Sequence, residues 1–296
     1  MTPRRFAVLG DPIAHSKSPA MQGAAFRALG LPHTYEAIRA TAEDLPDLVA
    51  KLRDGTFHGF NVTVPHKERV LALADERDES ARVAGAANTL VRTADGRVVA
   101  YNTDAPALAA EIAALVPAGH TLAGGRGLVL GSGGAARAAI VALRSYLGVS
   151  EIAVRARGFA DAERGQAFAK GAPGPVVAEP WQPSPVDERR TLAIVQATSA
   201  GMRGADDGDA VAGVVAWADL PPHAVAIDVV YSPRDTPWLR AARGRGLAAT
   251  DGLGMLARQG ALALELWLGQ GAGEGAAEGG GAVAAPLEVM RAALER

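Results

Sequence analysis

The chain reads as an α/β protein of two domains, one of them an open parallel sheet of the dinucleotide-binding kind. Short apolar runs of strand length alternate with longer runs of helical period, the pattern of β-α-β units. The strand Arg126-Gly127-Leu128-Val129-Leu130 runs into Gly131-Ser132-Gly133-Gly134-Ala135-Ala136 and a helical pattern to Leu147. That is G-x-G-x-x-G/A between the strand and helix it requires, with the phosphates expected at the helix N-terminus. At 296 residues the chain is long enough to bury two separate cores.

Composition excludes more than it assigns. Hydrophobic residues make up 49% and charged ones 21%, and 30 basic against 32 acidic residues leave a net charge of -2. No bulk positive field is there to bind nucleic acid or an anionic membrane. The absence of cysteine removes disulfides, thiolate nucleophiles and cysteine-ligated metals, and the six histidines are scattered, so no metal is expected. No apolar run reaches the roughly 18 residues of a membrane span, and the first apolar segment, Phe6 to Gly10, is too short for a signal peptide. A cytoplasmic protein is the default expectation.

Phe6 to Leu9 reads as a buried strand closed by Gly10-Asp11-Pro12. Ser18-Pro19 then starts a helix with Met21, Ala25, Phe26 and Leu29 on one face. Ser16 and Ser18 place two hydroxyls at that N-terminus, either as a carboxylate site or with Ser18 simply capping. Thr34 to Ile38 is a strand and Glu43 to Leu52 a helix. Gly59 to Val64 follows as a strand stopped by Pro65, presenting Thr63 and Lys67 at its carboxyl end, with a helix expected at once over Glu68 to Leu73. In isolation Lys67 would read as a solvated surface lysine. Gly85 to Arg92, holding Asn88, and Arg97 to Tyr101 form a hairpin across Asp95-Gly96. Asn102-Thr103-Asp104 is placed to cap the helix that starts at Pro106.

Beyond the glycine turn, Glu151 to Arg157 is the second strand of the nucleotide domain. It ends in Arg155-Ala156-Arg157 with no acid before Asp161. An acidic residue there would suit the ribose hydroxyls of NAD, whereas arginine suits the 2′-phosphate of NADP, so NADP is the expectation. Pro173 to Pro185 reads as loop. Ala193 to Ala197 and Ala224 to Val230 are further strands whose ends, at Thr198 and Tyr231, should face the cofactor. Leu247 to Thr250 is a last short strand, and Asp251 caps a long helix carrying Gln259. Gln270 to Ala282 is a Gly/Ala-rich linker before a terminal helix, Pro286 to Leu294.

Seven motifs in order resemble the shikimate dehydrogenase family: Ser16-Lys17-Ser18-Pro19, Asn61-Val62-Thr63-Val64-Pro65-His66-Lys67, Gly85-Ala86-Ala87-Asn88-Thr89-Leu90, Asn102-Thr103-Asp104, the glycine turn with Arg137, Ala197-Thr198-Ser199-Ala200-Gly201-Met202, and Asp251-Gly252-Leu253-Gly254-Met255-Leu256 with Gln259. The resemblance implies reversible reduction of 3-dehydroshikimate to shikimate with NADP(H). It implies a substrate domain of residues 1–105 and 251–296, a Rossmann-like NADP domain of residues 106–250, a cleft between them, and hinges near 102–106 and 250–254. By position, Lys67 and Asp104 would be the catalytic pair. Ser16 and Ser18 would hold the substrate carboxylate, and Thr63, Asn88, Asn102, Tyr231 and Gln259 its ring hydroxyls. Gly131, Ser132, Gly133, Gly134, Ala135, Arg157, Thr198, Val229 and Gly252 would contact the cofactor, joined by Arg155 from the strand-end reading. The chain would act on a small molecule, as a monomer or homodimer.

The chain also departs from the family pattern. Ala156 replaces a common Asn and Asp161 stands near the place of a second Arg, so a weaker NADP preference is expected. Ala105 replaces a common Gly, and Gln22 stands where His is frequent. Two rivals are an NAD-preferring quinate/shikimate dehydrogenase and a catalytically silent NADP-binding relative that senses the metabolite.

Overall fold

The computed structural model describes residues 2–202, 205–206, 208–270 and 284–295. The chain divides into one unit of Met1–Asp104 with Leu256–Arg296 and another of Ala105–Met255. Each is built on its own six-stranded sheet.

The first sheet holds β1 (Arg5–Gly10), β2 (Thr34–Arg39), β3 (Gly59–Val62), β4 (Glu76–Arg77), β5 (Thr89–Arg92) and β6 (Val98–Tyr101), in the order β2-β1-β3-β5-β6-β4. β1 pairs in parallel with β2 and β3, and β3, β5 and β6 run antiparallel in turn. The helices α1 (Ser18–Ala28), α2 (Leu45–Arg53) and α3 (Glu79–Ala84) belong to this unit. Leu45, Leu48 and Leu52 recur at helical spacing and bury against Leu9, Phe60, Val62 and Leu90.

The second unit continues from α4 (Asp104–Leu115) into β7 (Arg126–Leu130), α5 (Gly134–Val141), β8 (Glu151–Arg155), α6 (Ala162–Gly171), β9 (Val177–Glu179), α7 (Pro185–Glu188), β10 (Thr191–Gln196), α8 (Gly208–Ala212), β11 (Val225–Asp228), α9 (Pro237–Gly244) and β12 (Ala248–Thr250). Its strands are all parallel, in the order β9-β8-β7-β10-β11-β12. Counted along the unit this is 3-2-1-4-5-6, the doubly wound order whose direction reverses between its first and fourth strands. The crevice at that switch point lies between the ends of β7 and β10.

The chain then returns through α10 (Leu253–Gln270) to the first unit, which also holds α11 (Leu287–Leu294). Trp267 lies over β3 at Gly59, where any Cβ would fall 2.2 Å from the indole nitrogen. Its Nε1–H donates to Leu90 O at 3.1 Å, and its ring stacks 4.9 Å from Phe6. Residues 271–283, most of the expected Gly/Ala-rich linker, lie outside the described residues.

Several elements differ from expectation. No α-helix follows Lys67: its carbonyl accepts from Ala87 N at 2.8 Å, on the segment that leads into β5, and only a 3₁₀ turn, Val70–Ala72, forms. The strand expected from Gly85 begins at Thr89, because α3 ends at Gly85 in the left-handed conformation. The expected loop at 173–185 contains β9, which pairs along β8. The helix after the glycine turn passes at Ala142 into a π-helical segment, Ala142–Tyr146. Ser18 does not cap α1 through its side chain; it is the first helical residue, and Ser16 Oγ accepts from its N–H at 3.3 Å.

Candidate active site

On the first unit, β3 delivers two functional side chains just beyond its carboxyl end. Thr63 N–H still bonds Leu9 O at 2.9 Å, and the Lys67 carbonyl is tied to Ala87, so the intervening turn is pinned at both ends. The Lys67 ammonium, 14% exposed, donates to Asp104 Oδ2 at 2.6 Å, and the Asp104 side chain is 5% exposed. The other carboxylate oxygen accepts from Asn88 Nδ2 at 2.9 Å. Asn88 also reaches Gln259 Oε1 at 3.3 Å, while its own Oδ1 accepts from Thr103 N at 2.8 Å. Lys67, Asp104, Asn88 and Gln259, spread over 193 positions of sequence, therefore form one hydrogen-bonded set.

The elements explain the placement. Gln259 sits two turns before Trp267 on α10, so the indole over Gly59 fixes where Gln259 lies. Gln22 Nε2 donates to Gly260 O at 2.9 Å, tying α1 to the same helix. Thus the residue that departs from the family's histidine holds α10 against the serine-bearing helix. Ser18 is buried and Ser16 half-buried at the start of α1.

Asn102 also has a structural part. It is buried, its Nδ2 donates to Ala86 O at 2.9 Å and its Oδ1 accepts from Asp104 N at 3.1 Å. Its amide anchors the start of α4 and leaves the Asp104 carboxylate free of capping. Two further residues that sequence reasoning left unassigned underlie the set. Tyr35 Oη donates to Asn61 Oδ1 at 2.7 Å, and Asn61 Nδ2 donates to Thr89 Oγ1 at 3.2 Å. Burial raises the Tyr35 phenol well above its ordinary value, so it stays a donor. The available signal was Asn61 itself, an amide inside a strand buried on both faces.

On the second unit, the end of β7 forms a cradle. Gly131 has φ +115°, and a Cβ there would lie 3.0 Å from Ala197 O and Thr198 Cγ2, so only glycine fits beside β10. Gly133 caps α5 without a side-chain bond, open space faces its Cα, and no acid occupies the first turn of the helix. Ser132 leads into a helix N-terminus at Gly134 and Ala135 whose first N–H groups have no intrahelical partner. Thr198 is folded in by Gln196 Oε1, which accepts its N–H at 2.6 Å. Gly252 N–H donates to Val230 O at 3.1 Å and its Cα lies against the Val229 carbonyl, so these two expected cofactor contacts are neighbours. Tyr231, half-buried, follows them; burial raises its phenol.

The arginine that ends β8 and the one just beyond it separate. Arg155 is fully buried, with Nη1 to Glu188 Oε1 at 2.7 Å, Nε to Glu179 Oε2 at 2.9 Å and a further bond to Val214 O. The cofactor contact expected of Arg155 would have to involve a guanidinium that is buried at the sheet edge and already bonded to two glutamates and a backbone carbonyl. Arg157, 72% exposed, is the cation at the strand end, paired with Asp206 at 2.7 Å. Asp161 instead caps α6 through the N–H groups of Glu163 and Arg164.

Asp228 was not anticipated. At the end of β11 its carboxylate accepts from Val230 N at 2.9 Å and from Thr236 Oγ1 at 2.6 Å. Burial pushes its carboxyl up to about 6 against those two bonds, with the Asp251 charge adding to the rise. It fastens the turn that carries Val229 and Tyr231. No cluster of three metal-binding side chains exists among the described residues, and none of their helices is long and apolar enough to cross a membrane.

Residues 8–90 match the family model for the shikimate dehydrogenase substrate binding domain. The chain is 44% identical over 269 residues to the NADP(+) shikimate dehydrogenase of Methylobacterium radiotolerans, covering 90% of this chain and 92% of that one. It belongs to the shikimate dehydrogenase family. Among solved structures, the shikimate 5-dehydrogenase of Thermus thermophilus, in complex with NADP(H) and shikimate, superposes with a TM-score of 0.77 at 35% identity, over 99% of both chains. A ligand-free 5-ketofructose reductase of Gluconobacter sp. strain CHM43 superposes with a TM-score of 0.81 at 29% identity, over 100% of this chain and 99% of that one. The shikimate dehydrogenase scaffold thus also occurs in a protein named for reducing a different ketone.

Proposed function

We propose that this chain reduces 3-dehydroshikimate to shikimate with NADPH, reversibly, as an enzyme of aromatic amino-acid biosynthesis. The single observation behind this reading is the buried Lys67–Asp104–Asn88–Gln259 set, which offers an ammonium donor, a carboxylate acceptor and two amides to a polyhydroxylated ring. Residues 1–105 and 251–296 would bind substrate, and residues 106–250 cofactor. Ser16 and Ser18, beside the N-terminus of α1, suit the substrate carboxylate. The cradle at Gly131 to Ala135 and the Arg157 cation suit a dinucleotide with a 2′-phosphate.

The cofactor, when bound, supplies the hydride. The chain's part is to manage the charge that appears on the ketone oxygen. Lys67 Nζ–H gives its proton to that oxygen as the carbon–hydrogen bond forms, and takes it back in oxidation. Asp104 holds the ammonium in place and accepts from the neighbouring hydroxyl, while Asn88 fixes the carboxylate's other oxygen. Low exposure strengthens each of these interactions relative to water. A site this rich in buried polar partners rejects analogues that leave them unpaired, by roughly 10⁴-fold or more. The enzyme would work in the cytoplasm, as a monomer or homodimer.

The test is shikimate oxidation with NADP and NAD side by side, and NADPH oxidation with 3-dehydroshikimate against 5-ketofructose, which lacks the carboxylate. Turnover of the dehydroshikimate with NADPH, and none of the ketofructose, is the expected result. Binding of shikimate without turnover would favour the silent relative, and higher kcat/KM with NAD than with NADP the NAD-preferring one.

A further inference from the structure

Of the two arginines at the end of β8, Arg157 is the one left for a 2′-phosphate once Arg155 is spent in the core. Its partner in the structure is an acid. Asp206 Oδ2 lies 2.7 Å from Arg157 Nη1, and both side chains are more than half exposed. Asp206 comes from the loop after β10, beyond Thr198, and its backbone is fixed: Gly201 N–H donates to Asp206 O at 2.8 Å, and Ala205 N–H to Met202 O at 3.0 Å. Gly201 in turn packs against Thr236, the residue that caps α9. The backbone at Asp206 is therefore tied to Gly201, which itself lies beside Thr236.

We propose that Asp206 is a specificity-determining residue for the cofactor, occupying Arg157 as a stand-in for the 2′-phosphate and weakening the preference for NADP over NAD. The proposal rests on the NADP reading above. A dianionic phosphate approaching Arg157 must displace the carboxylate from the guanidinium and then lie beside its negative charge. A cofactor with a free 2′-hydroxyl meets neither obstacle, and can donate a hydrogen bond to the same carboxylate, just as acids at this strand end accept one from the ribose in NAD sites. The chain lacks an acid on the end of β8 itself, and Asp206 supplies one from the other side of the switch point.

The experiment measures binding, apart from turnover, with two probes: adenosine 2′,5′-bisphosphate and 5′-AMP, titrated calorimetrically into the native protein, Asp206→Asn, Asp206→Ser and Arg157→Ala. Removing the acid should tighten the bisphosphate by about two- to five-fold, the range of an exposed ion pair, and more at low salt as repulsion is relieved. Binding of 5′-AMP should stay level or weaken. The gain should vanish when Asp206→Asn is combined with Arg157→Ala. Unchanged bisphosphate affinity in both Asp206 variants, or equal tightening of both probes, would overturn the proposal. Failure of the native protein to prefer the bisphosphate at all would instead sink the NADP reading.

Discussion

Around Lys67 the functional groups are side chains, buried and bonded to one another; around Gly131 they are backbone N–H groups and an exposed guanidinium. The first arrangement draws on β3, the residue before β5, the start of α4 and the middle of α10. The second comes from a single strand–turn–helix with one strand end beside it. A site of interlocked side chains concentrates its chemistry in few atoms, so single substitutions there should be severe. A site of main-chain groups spreads its affinity, so its side chains tune selectivity more than they decide activity.

The largest effect should follow from removing the proton donor. Lys67→Ala is expected to lower kcat by roughly 10²–10⁴-fold, with a much smaller change in KM. Near-normal turnover in that variant would break the contrast at once, since it would leave the buried set without a catalytic group. Arg157→Ala should act in the other manner: KM for NADP rises about tenfold, as for loss of a charged hydrogen bond, while kcat and the KM for NAD stay level. A fall in kcat with both cofactors would show that the rim is as interlocked as the pocket.

The smallest effect concerns Asp228, a side-chain anchor inside the second unit. Its carboxyl, held at about 6 in the folded protein against 3.8, binds its proton more tightly folded than unfolded. Its contribution to stability is therefore fully present below about pH 4 and is lost as pH rises through about 6. Above that the charged form costs up to about 3 kcal/mol, with its two hydrogen bonds already counted in its favour. Asp228→Asn keeps an acceptor for Val230 N–H and a partner for Thr236. Its melting temperature should match or exceed the native value at pH 7.5 and lose that advantage at pH 4.5. A variant less stable than native at both pH values would show that the charge itself holds the turn.

Much of this was legible in the chain. The glycine turn was readable because its geometry is local: a strand, a positive-φ glycine and a helix within about ten residues. Lys67, Asp104, Asn88 and Gln259 were readable through the family's motifs, not from spacing, and the structure brings all four together. What stayed hidden has one cause. Arg155 and Arg157 look alike in sequence, but the glutamates that claim Arg155 lie 24 and 33 positions away. Asn102 is claimed by the carbonyl of Ala86, and the Lys67 carbonyl by Ala87, each from an element whose approach no local pattern announces. Tyr35 bonds Asn61 from 26 residues away. Side-chain identity was visible; which side chains were already occupied was not.

The indole of Trp267 over Gly59 has a consequence in time as well as in space. Its hydrogen-bond partner, Leu90, is made 177 residues earlier. At roughly 5–20 residues per second on the ribosome, the first sheet waits about ten to thirty-five seconds for the helix that covers it. Through that interval the glycine-floored surface of β3 lacks its indole cover, while the whole second unit is synthesised and free to fold. The half of the molecule that is translated first is thus the half completed last.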